Sequence, residues 1–205
     1  MKKTFVILSM AGLLSSCVQL QQNRDYVVKE NSLHTMSAPV WITPSKAHKI
    51  DPDADTKQFL YVVSDGLDAN QRVCLKKSEQ NAMRKIAADT AEEIVKNLKK
   101  RNKKKNRNDE DPDLKDNLEK NVLVNLDNIE TAGNYWEKRN YTTEKNTQKG
   151  RTSYKCHTVL KIKRSDVAKA LRVTKAKINQ KAAKGTKKAL NSVIDSYIAE
   201  SEVGK

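Results

Sequence analysis

The first hydrophobic run, Phe5 to Leu14, is ten residues long, follows Lys2-Lys3 and ends at Ser15-Ser16 before Cys17. A helix needs about twenty apolar residues to cross a bilayer, so the run is too short for a permanent span. A charged head, a short greasy middle and a small-residue cut site are the layout of an export signal. From Val18 to Thr56 no helical or strand period is sustained, and Pro39, Pro44 and Pro52 interrupt the chain. This stretch reads as a flexible tether. Within it, the island Pro39-Val40-Trp41-Ile42 is apolar enough to dock on a folded domain.

Regular patterning begins at Phe59. Phe59-Leu60-Tyr61-Val62-Val63 is a run of β-formers closed by Ser64-Asp65-Gly66, which predicts a buried strand and a turn. Asp68 or Asn70 can cap the helix that follows. Met83, Ile86, Ala87, Thr90, Ala91, Ile94 and Leu98 recur at three- and four-residue steps, giving that helix one apolar stripe to about Lys100. After Pro112, Leu114, Leu118 and Val122 predict a shorter second helix. Ile129 to Tyr141 and Arg151 to Lys163 then read as paired strands joined by 142–150. In the second of them Tyr154, Cys156, Thr158, Leu160 and Ile162 form a buried face. Ser153, Lys155, His157, Lys161 and Lys163 form a wet one, which only Val159 breaks. Ser165 or Asp166 can cap a last helical stretch carrying Val167, Leu171, Ile178, Leu190, Val193, Ile194 and Tyr197. Gly185 in its middle marks a kink or a break into two helices.

These elements predict an α+β fold: a mainly antiparallel sheet of about three strands, packed by a long helix, with a long C-terminal helix or helix pair. The expected divisions are a signal at 1–16, a tether at 17–56, an α+β domain at 57–165 and a C-terminal helical segment at 166–205. The signal's two lysines take the formal charge from +15 to +13 for the 189 residues that remain.

Such a basic balance normally raises nucleic acid as a partner. Export argues against it, as does the lack of aromatics interleaved with the basic residues to stack bases. Lys99, Lys100, Arg101, Lys103, Lys104, Lys105 and Arg107 concentrate seven positive charges just before the acidic cluster Asp109-Glu110-Asp111. Residues 99–113 therefore read as a solvated loop, and its basic half is a candidate contact for an anionic surface.

Leu14-Ser15-Ser16-Cys17 resembles the lipobox of bacterial lipoproteins. The resemblance implies that the Cys17 thiol receives a diacylglycerol, cleavage precedes it, and the new amino group is acylated, palmitate being a common chain. At roughly 0.8 kcal/mol per buried methylene, several acyl chains hold a protein on a membrane. Val18, where inner-membrane lipoproteins of enteric bacteria carry Asp, points to the outer membrane facing the periplasm. With Cys17 committed to lipid, Cys74 and Cys156 are left as an even pair in an oxidising compartment, which reads as a disulfide. Cys74 lies near the start of the long helix and Cys156 on the buried face of a strand. A bridge between them would pin helix to sheet.

The order of Trp41, the strand Phe59 to Gly66, a helix bearing Asn81-Ala82, then Trp136, then Tyr154 to Ile162 resembles the lipoprotein-twenty family of small exported lipoproteins. The domain of that family is similar to the N-terminal domain of the flagellar assembly protein FlgT. The resemblance spans roughly residues 39 to 175. It implies an α+β domain serving as a structural or assembly part at the outer membrane, in some cases around the flagellar basal body.

The chain offers little for catalysis. His34, His48 and His157 lie far apart and in no zinc-ligand spacing, so neither a metal nor another cofactor is expected. No nucleophile elbow, P-loop or dinucleotide glycine pattern occurs. The reading is therefore non-enzymatic: a scaffold or accessory subunit of a flagellar ring or secretion apparatus, with protein partners. The alternative is a lipoprotein that contacts peptidoglycan or activates a cell-wall enzyme.

Overall fold

The computed structural model describes residues 26–35, 37–104, 113–141, 151–181 and 184–202. They form β1 (Tyr26–Asn31), 3-10 turns at Val40–Ile42 and Pro44–Ile50, β2 (Phe59–Asp68) and α1 (Gln71–Lys104). There follow α2 (Leu114–Asn125), β3 (Glu130–Tyr141), β4 (Thr152–Lys163), α3 (Arg164–Lys181) and α4 (Lys184–Glu202). The strands make one antiparallel sheet in the order β1-β3-β4-β2. The α+β class predicted from the pattern is the observed one, with four strands in place of three.

The added strand corrects the tether. Residues 26–35 and 37–56 belong to the folded domain: β1 pairs along β3 from Tyr26 opposite Tyr141 to Asn31 opposite Glu137. Its apolar run, Tyr26-Val27-Val28, is too short to show a period, and it becomes a strand because β3 offers an open edge. Farther on, Pro44 opens a 3-10 turn, a position where a missing N–H costs nothing. Together the two turns lay a strap across the sheet.

The strap also explains why Val159 breaks an otherwise polar face. Val159 is fully buried with Val63 and Ala47, and Trp41, Ile50 and Tyr61 pack around them. The face predicted to be wet is a second, smaller core. Trp41 meets the Tyr135 ring edge-on at 6.3 Å, so the apolar island does dock. A side chain at Gly133 would overlap the Ile50 methyl, so the β3 irregularity at 131–133 is where the strap seats.

Helices cover the other face. Asn70 caps α1, its Oδ1 accepting from the Arg72 and Val73 backbone N–H groups at 2.9 and 3.2 Å. Ala82, Ala87 and Ala91 are fully buried, and these small side chains let α1 lie close on β2 and β4. Gly66 does the same from the sheet side. It stands inside β2, opposite Cys156, and not in a turn. A Cβ there would come 2.5 Å from the Cys74 carbonyl oxygen and 2.9 Å from the Ser78 amide nitrogen.

The neighbours Cys74–Cys156 and Ser78–Thr158 show that α1 runs in the direction of β4. Its 34 residues make it about 50 Å long, so it passes the end of the sheet where β4 runs into α3. Beyond that end α2 and α4 pack on it, and α3 packs on both of them. Leu114, Leu118 and Val122 bury at the predicted four-residue steps. Leu171, Leu190 and Ile194 share one core with Leu160 and Ile162. The division at 165/166 is thus not a domain boundary: α3 and α4 are an antiparallel pair built into the main core, tied by Lys175–Asp195 at 2.6 Å and by Arg172–Glu202.

Candidate functional site

Cys17 lies outside the described residues. Cys74 and Cys156 are joined, with their Cα atoms 5.7 Å apart, so the bridge does pin α1 to the sheet. One turn further along α1, the Ser78 and Thr158 hydroxyls share a buried hydrogen bond of 2.6 Å, and Thr158 donates to Asn134 Oδ1 at 2.8 Å. A polar seam beside a covalent link fixes the register of helix on sheet, since a shift of register would break a buried hydrogen bond between them.

The strap is latched by charge. Asp51 Oδ2 accepts from the Tyr61 hydroxyl at 2.7 Å and from Lys161 Nζ at 2.8 Å. Lys161, and next Tyr61, hold the Asp51 carboxyl below the usual carboxylate range, and Asp51 raises Lys161 in turn. Lys161 Nζ also sits 4.4 Å from the centre of the Phe59 ring, a cation–π contact. Nothing in sequence spacing could pair residues 51 and 161, because the sheet alone brings them together.

A second polar group lies deeper on the same face. Glu137, 6% exposed, accepts from the Tyr135 hydroxyl at 3.0 Å and from Arg139 Nε at 2.8 Å. The Arg139 guanidinium stacks 3.9 Å over the Tyr26 ring. Burial pushes the Tyr135 phenol well above its ordinary range. His157, expected on a wet face, instead packs at 6.1 Å from the Tyr135 ring. Burial, then the Lys155 and Arg139 charges, push its imidazole down to about 4, against the opposing pull of Glu137. Tyr, Glu and His side by side resemble acid–base machinery. Yet Tyr135 is 1% exposed, and none of the grooves described below reaches the group. Its fully partnered carboxylate makes it a structural anchor for β1 and the strap.

A pH dependence follows from His157. Its imidazole protonates near 6.5 when unfolded and near 4 when folded, so between these values the unfolded chain binds more protons. Stability is then full above about pH 6.5 and falls as the pH drops toward 4. The expected loss is about 2 kcal/mol once partial exposure is allowed for. Denaturant unfolding at pH 7 and pH 4.5 should show this slope, and His157→Gln should remove it. An unchanged slope in the variant would refute the assignment.

The basic block is corrected in position. Lys99, Lys100, Arg101 and Lys103 form the last turns of α1, which ends at Lys104; Lys105 and Arg107 lie outside the described residues. Arg101 crosses to α4, where its two terminal nitrogens donate to the hydroxyls of Ser192 and Ser196, the latter at 3.1 Å. The helix outlasts its apolar stripe because contacts with α4 hold it. Those hydroxyls line a groove of about 700 Å³ together with Lys187, Lys188, Asn191, Asp195 and Ala199. A groove of about 510 Å³ runs past Thr56, Glu93, Arg164 and Tyr197, and one of about 370 Å³ past Asp89, Glu92, Lys96 and Lys100.

Among the described residues no group of three His, Cys, Asp or Glu side chains could hold a metal ion, and no helix is long and apolar enough to cross a membrane. No family model, curated protein or solved structure matches the chain.

Proposed function

We propose that this chain is a lipoprotein of the bacterial outer membrane, exported on residues 1–16 and anchored in the periplasmic leaflet through acylated Cys17. Its domain acts there as a non-catalytic scaffold or accessory subunit of an envelope assembly, either a flagellar ring or a secretion apparatus. The observation that carries the reading is Leu14-Ser15-Ser16-Cys17 behind a charged, ten-residue apolar leader. A Cys74–Cys156 bridge suits the oxidising compartment to which that leader directs export. The resemblance to lipoprotein-twenty proteins supports the assembly role, as do polar clusters spent on holding strap, strand and helix in place. One further observation favours wall contact as a second role: the groove on α4, where among the described residues Lys187 and Lys188 have no carboxylate partner.

The test is reversible cross-linking in intact cells, followed by recovery of the full-length chain and identification of its neighbours. The scaffold reading expects subunits of one envelope machine, recovered with the native chain and lost with Cys17→Ala. Recovery of wall-building enzymes alone, or of nothing enriched over that variant, would defeat it.

A further inference from the structure

Geometry at the two ends of the molecule bears on what the basic groove meets. Tyr26 begins β1 beside Tyr141, at the end of the sheet where β4 starts. Only residues 18–25 separate it from Cys17, and the nine steps from Cys17 to Tyr26 span at most about 32 Å. On the anchored-lipoprotein reading, on which this inference rests, the sheet end of the domain therefore stays close to the bilayer. The long helix α1 starts near that end and runs away from it for about 50 Å. The groove on α4 lies beside Arg101, in the last turns of α1, and so at the opposite pole.

Among the described residues, charge at that pole is poorly balanced. Arg101 is held by two neutral hydroxyls, and among the described residues neither Lys187 nor Lys188 has a carboxylate partner. Asp195, the acid in the groove, is engaged on both oxygens by Lys175, at 2.6 and 2.8 Å. Farther back along α1, Lys96 and Lys100 share a groove with the acids Asp89, Glu92 and Glu93. Three cations beside serine and asparagine side chains in an open groove suit a polymer carrying many carboxylates or phosphates, which lysines bind as point charges.

We infer that the α4 groove, with Lys187, Lys188 and Arg101, is a docking surface for the anionic polymer of the cell wall, held away from the anchoring bilayer. The bilayer itself is disfavoured as occupant because groove and tether leave the domain at opposite ends.

The experiment uses the full acylated chain in nanodiscs of neutral phosphatidylcholine, mixed with isolated peptidoglycan sacculi and sedimented at rising salt. Binding is expected at low salt, falling steeply as salt is added. Lys187→Glu with Lys188→Glu should weaken it about thirty-fold, while Lys187→Arg with Lys188→Arg should retain it. Circular dichroism checks that both variants fold. The inference is overturned if the native chain leaves sacculi in suspension, if charge reversal has no effect, or if the same lysines instead bind vesicles of phosphatidylglycerol or an acidic protein. Failure of the chain to enter nanodiscs would count against the Cys17 anchor, and is seen before sacculi are added.

Discussion

Replacing Cys74 and Cys156 together by alanine should lower stability by about 4 kcal/mol, the largest effect expected of any change here. The bridge closes a loop across 82 residues of sequence, so its loss frees the unfolded chain over nearly half its length. Both residues are fully buried, and alanine fits where each sulfur stood, so the folded state loses little packing. Urea unfolding of the oxidised native chain and the double variant gives the difference directly. Reduction of the native chain should bring its midpoint to that of the variant. A difference below about 1 kcal/mol would mean that the Ser78–Thr158–Asn134 seam alone holds α1 on the sheet.

Gly66→Ala should cost about 3 kcal/mol, although alanine is otherwise a mild change. The new methyl meets backbone on both sides, the Cys74 carbonyl oxygen at 2.5 Å and the Ser78 nitrogen at 2.9 Å. Backbone cannot rotate out of the way as a side chain can, so α1 must lift from β2 or the strand must bend. The bridge and the hydroxyl seam on either side resist both movements. The same substitution at an exposed strand position would cost little or be favourable, through lower entropy of the unfolded chain. Thermal unfolding of the single variant tests this, and a midpoint within about a degree of the native chain would refute the close approach.

Local periodicity made part of this structure readable in advance. The stripe from Met83 to Leu98, the four-residue steps of α2 and the β3–β4 pair each repeat several times within one element, so neighbours report the same buried face. The Cys74–Cys156 bridge was legible because one residue could be placed at a helix start and the other on a strand face. What failed to show was non-local. Three apolar residues in β1 carry no period, and they become a strand only because β3 leaves an edge free. Trp41, Ala47 and Ile50 are scattered through a proline-bearing stretch, and only the sheet surface beneath them makes them one layer. That hidden layer turned the predicted wet face into a core and left His157 half-buried. Gly66 suggested a turn because its real constraint, the passage of α1 overhead, comes from residues eight and twelve positions later. The groove on α4 was missed for a similar reason. Arg101 reaches Ser192 and Ser196 only after α1 and α4 have packed.

The shortened tether changes the functional picture most. On the proposed Cys17 anchor, a flexible 17–56 would let the domain roam far from the bilayer; with β1 starting at Tyr26, only eight residues would separate anchor from domain. Every part of that account depends on Cys17. The decisive measurement is the intact mass of the chain recovered from the envelope of a bacterium producing the full-length sequence. The account predicts a polypeptide beginning at Cys17, carrying a diacylglyceryl group and an amide-linked acyl chain, and with no thiol open to alkylation before reduction. A chain cleaved elsewhere and free of lipid, or one retaining residues 1–16, would contradict it.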